Sequence, residues 1–461
     1  MTAIYGNNPA LSTYYEPPTL GKFAAVSVPE DQDQCDEATE PRPFYPPELS
    51  VWHRVDSELK SFESAHHQYW WRQETGKALA ILLHNAGYPS NVQYRDLKFF
   101  AEVVAPHLGV SRNTSDHDTP IWPSFMTDDG NPVELSWDWG NGDKPPTIRY
   151  SIEPIGLQAG TPLDPKNQLA GPAFLKQLVW RLPEARLEWY YHFSEYLNCS
   201  PATPSMAPGS MKDIADHNTC IFYAFDLSPK EITAKVYFFP KIRAAIENRS
   251  NLDVLSQAIY NAPFSTGENL KAWSAFYDFA SEPSNKTLEH EMLAIDLIDP
   301  MQSRLKIYFR CRETTFDSVI NVMTLGGRIR SLDLFRGLID LARLWNLLFD
   351  IEGPLTQPLG DVGHRTAGIL YNVEFRLGET RPVAKIYLPV RHYSRSDDAV
   401  IRGLEKYFQY HHKGKDMADY VRVMHTLFSP ESLRAWAGVQ TYVGCSIRPN
   451  GSLRVVSYFK L

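Results

Sequence analysis

The sequence predicts an α+β fold, a ten-stranded antiparallel β-barrel of five ααββ repeats with helices around its outside. Three observations predict it. Two helical stretches followed by two strands recur five times, in rounds of mostly about 70–85 residues. Cation-bearing strands recur in step: Arg149 to Lys235, Lys235 to Lys306 and Lys306 to Lys385 are intervals of 86, 71 and 79 residues. No Gly/Ser/Pro linker divides the rounds, which favours one closed sheet over two or three separate α+β domains.

Each element has its own signal. Residues 1–45 are rich in Pro, Glu, Asp and Gln without periodicity and read as a loosely ordered arm, with one barrel domain over 46–461. Apolar residues at helical spacing cover His66–Ala86, stopped by Gly87, and a second helix covers Val92–Val104 before Pro106. Strands follow at Pro132–Trp139 and Thr147–Ile155. The next rounds read as helices 173–181 and 184–197 with strands 220–227 and 233–240, then helices 251–260 and 269–279 with strands 292–298 and 304–311. The last two are helices 315–323 and 332–349 with strands 368–376 and 383–390, then helices 398–410 and 416–427 with strands 440–447 and 453–459.

Side chains two apart on a strand share a face. Lys235/Tyr237, Arg304/Lys306/Tyr308 and Lys385/Tyr387 therefore each present charge and phenol to one side, and Arg149 adds a cation from a fourth strand. A single strand cation facing solvent is ordinary; a recurring set aims several cations at one shared anion. Tyrosines among them fit a ligand that also develops positive charge beside π faces. An organic diphosphate that ionises to a carbocation needs both.

Composition narrows the classes. With 46 Lys and Arg against 54 Asp and Glu the formal charge is −8, so there is no basic footprint for nucleic acid or an anionic membrane. The five cysteines (Cys35, Cys199, Cys220, Cys311, Cys445) are scattered without CxxC spacing and read as reduced thiols. The start of the chain lacks a signal-peptide pattern, and no apolar run reaches the roughly 18 residues needed to span a bilayer. A cytoplasmic protein, monomer or homodimer, is expected. His66-His67 and His411-His412 have no second ligand pair, so no metal site is expected, and Gly326-Gly327 reads as a turn.

The ordered motifs SFMTDDGNPVELS (124–136), IRYSIEPI (148–155), AGTPLDPKN (159–167), KVYFFP, DLIDP (296–300) and TLGG (324–327) resemble the fungal indole, dimethylallyltryptophan-synthase-like prenyltransferases, from about Trp70 to the end of the chain. The resemblance implies the barrel of repeated ααββ units known as the PT barrel. It also implies transfer of a dimethylallyl group from dimethylallyl diphosphate to an indole, with no cofactor and no metal on the diphosphate. In agreement, Asp128-Asp129 and Asp397-Asp398 do not continue as DDxxD. By the same resemblance Glu134 is the catalytic acceptor-binding carboxylate, and Arg149, Lys235, Arg304, Lys306 and Lys385 bind diphosphate. Tyr237, Tyr308, Tyr387 and Tyr458 shield the allyl cation, and Phe125 and Met126 wall the acceptor pocket.

The chain departs from the family pattern in three places. Lys385 stands where many relatives have glutamine. Phe222 stands where tryptophan-using members carry a lysine, and Glu291 where they carry an arginine that clamps the amino-acid carboxylate. A glutamate there repels a carboxylate, so the expected acceptor is a neutral indole such as a tryptophan-containing cyclic dipeptide. Indole diterpenes, free tryptophan and other aromatics come next. A barrel that only binds an isoprenoid diphosphate, or hydrolyses it, is the rival from another class.

Overall fold

Alternation of the kind seen in Lys-Val-Tyr-Phe closes a sheet when one face has a chamber to line and the other has helices to meet. In the computed structural model, which describes residues 46–112, 122–140, 145–197, 217–351 and 355–461, ten strands do this. They are β1 (Val133–Asp138), β2 (Thr147–Ile152), β3 (Ile221–Leu227), β4 (Ile232–Phe238), β5 (Glu289–Asp296), β6 (Leu305–Cys311), β7 (Ile369–Phe375), β8 (Val383–Leu388), β9 (Gln440–Ile447) and β10 (Leu453–Phe459). Every sequential neighbour pairs antiparallel, and β1 pairs with β10 to close the barrel, leaving no free edge. The expected arm at 1–45, Cys35 and Cys199 lie outside the described residues.

The outward residues make the main core. Trp137, Tyr150, Tyr223 and Tyr371 on the strands share one buried cluster with Trp70, Trp71, Trp273 and Trp345 on the helices, all under 2% exposed. Each large apolar side chain removed from water in this way contributes about 1.5–3 kcal/mol. Some helix starts are fixed by side-chain caps. Ser331 accepts from the backbone N–H of Leu334 and Ser396 from that of Ala399, satisfying donors a helix start would otherwise leave open. No described helix is long and apolar enough to cross a membrane.

Helices Asn251–Tyr260 and Leu332–Phe349 and strands β9 and β10 have the expected bounds. Other elements differ. The expected helix over 66–86 is two, Ala65–Arg72 and Thr75–Asn85, because Glu74 leaves helical geometry and accepts a 2.7 Å hydrogen bond from Asn131 just before β1. The helix expected to reach Val104 ends as an α-helix at Phe99 and continues as one wider π turn over Phe100–Val104, invisible to a pattern that stays apolar throughout. Short helices at 50–58, 241–247, 390–393 and 430–435 had no separate periodic signal.

Helix Asp397–Tyr410 crosses Leu332–Phe349 so closely that a β-carbon on Gly403 would stand 2.7 Å from the Leu347 carbonyl oxygen. Gly403→Leu is expected to cost about 1–3 kcal/mol by overpacking, read as a lower thermal midpoint. Gly360→Leu, where nothing lies within 4 Å, is the control.

Candidate active site

Inward residues of the ten strands line a chamber of about 1220 Å³. One end of it is ionic, and the ions alternate. Even strands supply cations: Arg149 on β2, Lys235 on β4, Lys306 on β6, Lys385 on β8 and Arg454 on β10, with Arg304 at the entry to β6. Odd strands supply carboxylates: Asp138 on β1, Asp226 on β3, Asp296 on β5 and Glu374 on β7. On β9 the matching residue is Ser446, which stands opposite both Lys385 and Arg454.

The pairs are close. Arg149 meets Asp138 and reaches Asp226 at 3.0 Å. Lys306 donates to Asp296 at 2.6 Å, while Arg304 donates to Asp296 at 2.9 Å and reaches Glu374 at 3.3 Å. Burial by itself would raise these carboxyls. Arg149 and Arg454 instead hold Asp138 down at about 2, and Arg149 and Lys235 hold Asp226 well below the usual carboxylate range. Burial pushes the Lys306 ammonium down to about 8, with Asp296 opposing. Lys385 has no carboxylate hydrogen-bond partner. Its amine donates to the Tyr458 hydroxyl at 3.0 Å and lies 4.5 Å from the centre of the Tyr387 ring. Burial, with Arg149 and Arg454 adding repulsion, lowers it to about 7.

Beyond the ions lies a belt of phenols. Tyr237, Tyr308, Tyr387 and Tyr458 follow one another with ring centres 5.7, 5.9 and 5.6 Å apart. Tyr387 is held by the Asn372 amide, which donates to its hydroxyl at 3.1 Å. Gly444 makes room for the belt: a β-carbon there would stand 2.9 Å from the Tyr458 ring and 3.3 Å from Lys385.

At the far end Glu134 on β1 lines the chamber, accepting a 2.6 Å hydrogen bond from the Thr441 hydroxyl. Burial raises its carboxyl to about 7, against the pull of Thr441 and Arg391. Phe125 and Met126 line the same end, with Phe222, Met292, Leu370 and Tyr442. The loop carrying Phe125 is anchored by Glu153, 1% exposed, which accepts from Trp122 at 2.9 Å, Ser124 at 2.6 Å and Thr219 at 2.9 Å. Two guanidiniums also reach this end. Arg391 donates to the Tyr442 hydroxyl at 2.8 Å, and Arg310, 1% exposed, donates to Glu291 at 2.8 Å.

All twelve residues expected from sequence therefore line one chamber, in three zones. Sequence reading missed the four carboxylates, Arg454, Arg310, Arg391 and Thr441. A signal for the carboxylates was present: at the last or next-to-last position of the first strand in each pair stand Trp-Asp, Phe-Asp, Ile-Asp, Val-Glu, and in the fifth Cys-Ser. The expectation that Glu291 repels an acceptor carboxylate loses its premise, because Arg310 cancels that charge.

The family profile described as tryptophan dimethylallyltransferase matches residues 66–423. The chain is 34% identical over 416 residues to 4-O-dimethylallyl-L-tyrosine synthase of Claviceps purpurea, covering 88% of this chain and 90% of that one. It is 32% identical over 412 residues to 7-dimethylallyltryptophan synthase of Aspergillus fumigatus, covering 85% and 84%. Among solved structures, AnaPT from Neosartorya fischeri superposes with a TM-score of 0.76 at 24% identity, covering 89% of this chain and 97% of that one. NotF in complex with brevianamide F and DMSPP gives 0.74 at 22% identity, covering 90% and 98%. At these identities the solved structures bear on the fold.

Proposed function

The chain belongs to the tryptophan dimethylallyltransferase family and is an aromatic prenyltransferase, and we propose that it moves a dimethylallyl group from dimethylallyl diphosphate to a free aromatic amino acid, without a metal on the diphosphate. One observation carries the reading. Along the chamber run cations, then phenols, then a half-buried carboxylate, the order of leaving group, allyl cation and acceptor. The carbon–oxygen bond of the donor breaks, and its electron pair leaves with diphosphate. Arg149, Lys235, Arg304, Lys306, Lys385 and Arg454 take up that charge in place of magnesium. Tyr237, Tyr308, Tyr387 and Tyr458 face the allyl cation and keep water from it. Glu134 accepts the acceptor's N–H or O–H. For a phenol it takes the proton as the carbon–oxygen bond forms; for an indole it strengthens ring attack, and the released diphosphate takes the ring proton as the C–H electron pair returns to the ring.

The Claviceps and Aspergillus relatives are named for tyrosine and tryptophan, which favours an amino acid; Arg310 and Arg391, already paired with Glu291 and Asp128, add N–H donors at the acceptor end and no net positive charge. A tryptophan-containing cyclic dipeptide is the second reading. Phe222 favours it, since no lysine stands there to receive a ring proton.

The test is an EDTA-treated incubation with dimethylallyl diphosphate and L-tyrosine, L-tryptophan, tryptophan-containing cyclic dipeptides and an indole diterpene, read by mass spectrometry. One added dimethylallyl unit on an amino acid is the expected product. The same unit on a cyclic dipeptide selects the second reading. Dimethylallyl alcohol alone, or no turnover, overturns both in favour of a hydrolase or a binding barrel.

A further inference from the structure

At the rim of the acceptor end, three metal-ligating side chains converge from three separate segments. Asp128 comes from the loop before β1, His364 from the loop before β7, and His392 from the short helix Val390–Tyr393 after β8. A ligand atom from each lies within 4.8 Å of the other two, and the imidazole centres are 4.9 Å apart. The Thr366 hydroxyl sits among them, 2.8 Å from His364 Nδ1, 2.8 Å from His392 Nε2 and 3.2 Å from Asp128 Oδ1. One hydroxyl proton thus faces three groups able to accept it.

The scaffold under this cluster is fixed. Arg310 donates to the Thr366 carbonyl at 2.7 Å. Gly368 has φ +82°, and a β-carbon on it would stand 2.6 Å from the Cys311 carbonyl oxygen, so the loop lies tight against β6. Its N–H donates to the Tyr393 hydroxyl at 2.8 Å, tying the loop to the helix that carries His392. Asp128 already has its outer partner, since Arg391 Nε lies 3.0 Å from Oδ2.

We propose that Asp128, His364 and His392, with Thr366 as neighbour, form a binding site for a divalent transition-metal ion of the imidazole-preferring class, zinc foremost, at the acceptor rim of the chamber. Two imidazoles and one carboxylate suit Zn²⁺ or Co²⁺ better than Mg²⁺ or Ca²⁺, which prefer all-oxygen shells. Metal–nitrogen bonds of about 2.0–2.1 Å need the ligand atoms to close in by roughly an ångström. The site is separate from the diphosphate end and does not depend on the proposed reaction.

The test titrates the EDTA-stripped, tag-free full-length protein with Co²⁺, followed by visible absorption, and with Zn²⁺, followed by calorimetry. Saturable binding at one ion per chain is expected, weakened about tenfold or more in each of Asp128→Ala, His364→Ala and His392→Ala. His411→Ala, at a histidine bound instead to Asp340, is expected to bind as the wild type does. No saturable binding, or equal binding by the His364 and His392 variants, overturns the site. Should an alanine variant not fold, the wild-type Co²⁺ spectrum decides. Bands of nitrogen and oxygen ligation support the assignment, and intense sulfur charge-transfer bands overturn it in favour of a cysteine.

Discussion

Glu134→Gln is expected to lower kcat/KM by about 10²–10⁴-fold, the usual contribution of a positioned acid–base group, without lowering the thermal midpoint at pH 8. β1 pairs Glu134 with Ser151 and turns its side chain into the chamber, where Thr441 donates to it at 2.6 Å. Burial lifts the carboxyl to about 7, so the accepting form develops across neutral pH. The kcat/KM profile of the wild type should therefore rise with pH through about 7, and the glutamine variant should lose that limb. Stability has the opposite sign. A carboxyl raised on folding adds stability below its unfolded value, and that stability is lost as pH climbs through the folded value of about 7. Above pH 7 the wild type carries a buried charge that glutamine removes, so the variant should be at least as stable there. Less than about a threefold loss in kcat/KM, or a loss matched by a falling midpoint, would sink the catalytic role and leave a structural one.

The barrel was legible because each strand states its two faces in its own residues, and five repeats state it again. Lys235/Tyr237, Lys306/Tyr308 and Lys385/Tyr387 are local pairs, and local pairs survive translation from sequence to structure. What was hidden depends on contacts far apart in the chain. Glu291 shows why. Alternation along β5 sends Met292, Ala294 and Asp296 inward, which should send Glu291 outward. A bulge between His290 and Met292 inserts one residue and turns Glu291 to the same side as Arg310. An isolated sequence shows neither the bulge nor the partner 19 residues away. Arg391 was hidden differently. It sits in a helix of 4 residues, too short for periodicity, and its role at the rim follows from Tyr442 and Asp128 meeting it there. The acidic half of the ionic end was readable as an Asp or Glu repeated at, or one residue before, the end of a strand. A carboxylate ending a strand usually marks a turn, so the signal had a blander explanation than the lysines did.

Lys306→Gln is expected to cost about 10²–10³-fold in kcat/KM, the typical loss on removing one preorganised donor from developing negative charge. Lys306 suits this test because its removal spares the fold. Asp296 would keep Arg304 at 2.9 Å, whereas removing Arg149 would strip a partner from both Asp138 and Asp226. Six cations here face four carboxylates, so a small net positive charge is left to receive diphosphate. Lys385 holds much of that surplus, because Ser446 stands where the other repeats place an acid. The two lysines should therefore behave differently with pH. Lys385 is lowered to about 7, so its charge, and with it donor affinity, should fade as pH rises past 7. In Lys385→Gln the fall centred near pH 7 should vanish, leaving the later fall near pH 8 that Lys306 contributes. Ser446→Asp should supply the missing acid, keep Lys385 charged to higher pH and flatten the same dependence. Donor KM measured from pH 6 to 9 in the wild type and the three variants checks each statement. A Lys306→Gln enzyme with nearly unchanged kcat/KM would remove the ionic end from the reaction. An unchanged pH dependence in Lys385→Gln would mean that the bound diphosphate, and not the bare chamber, sets the charge of this lysine.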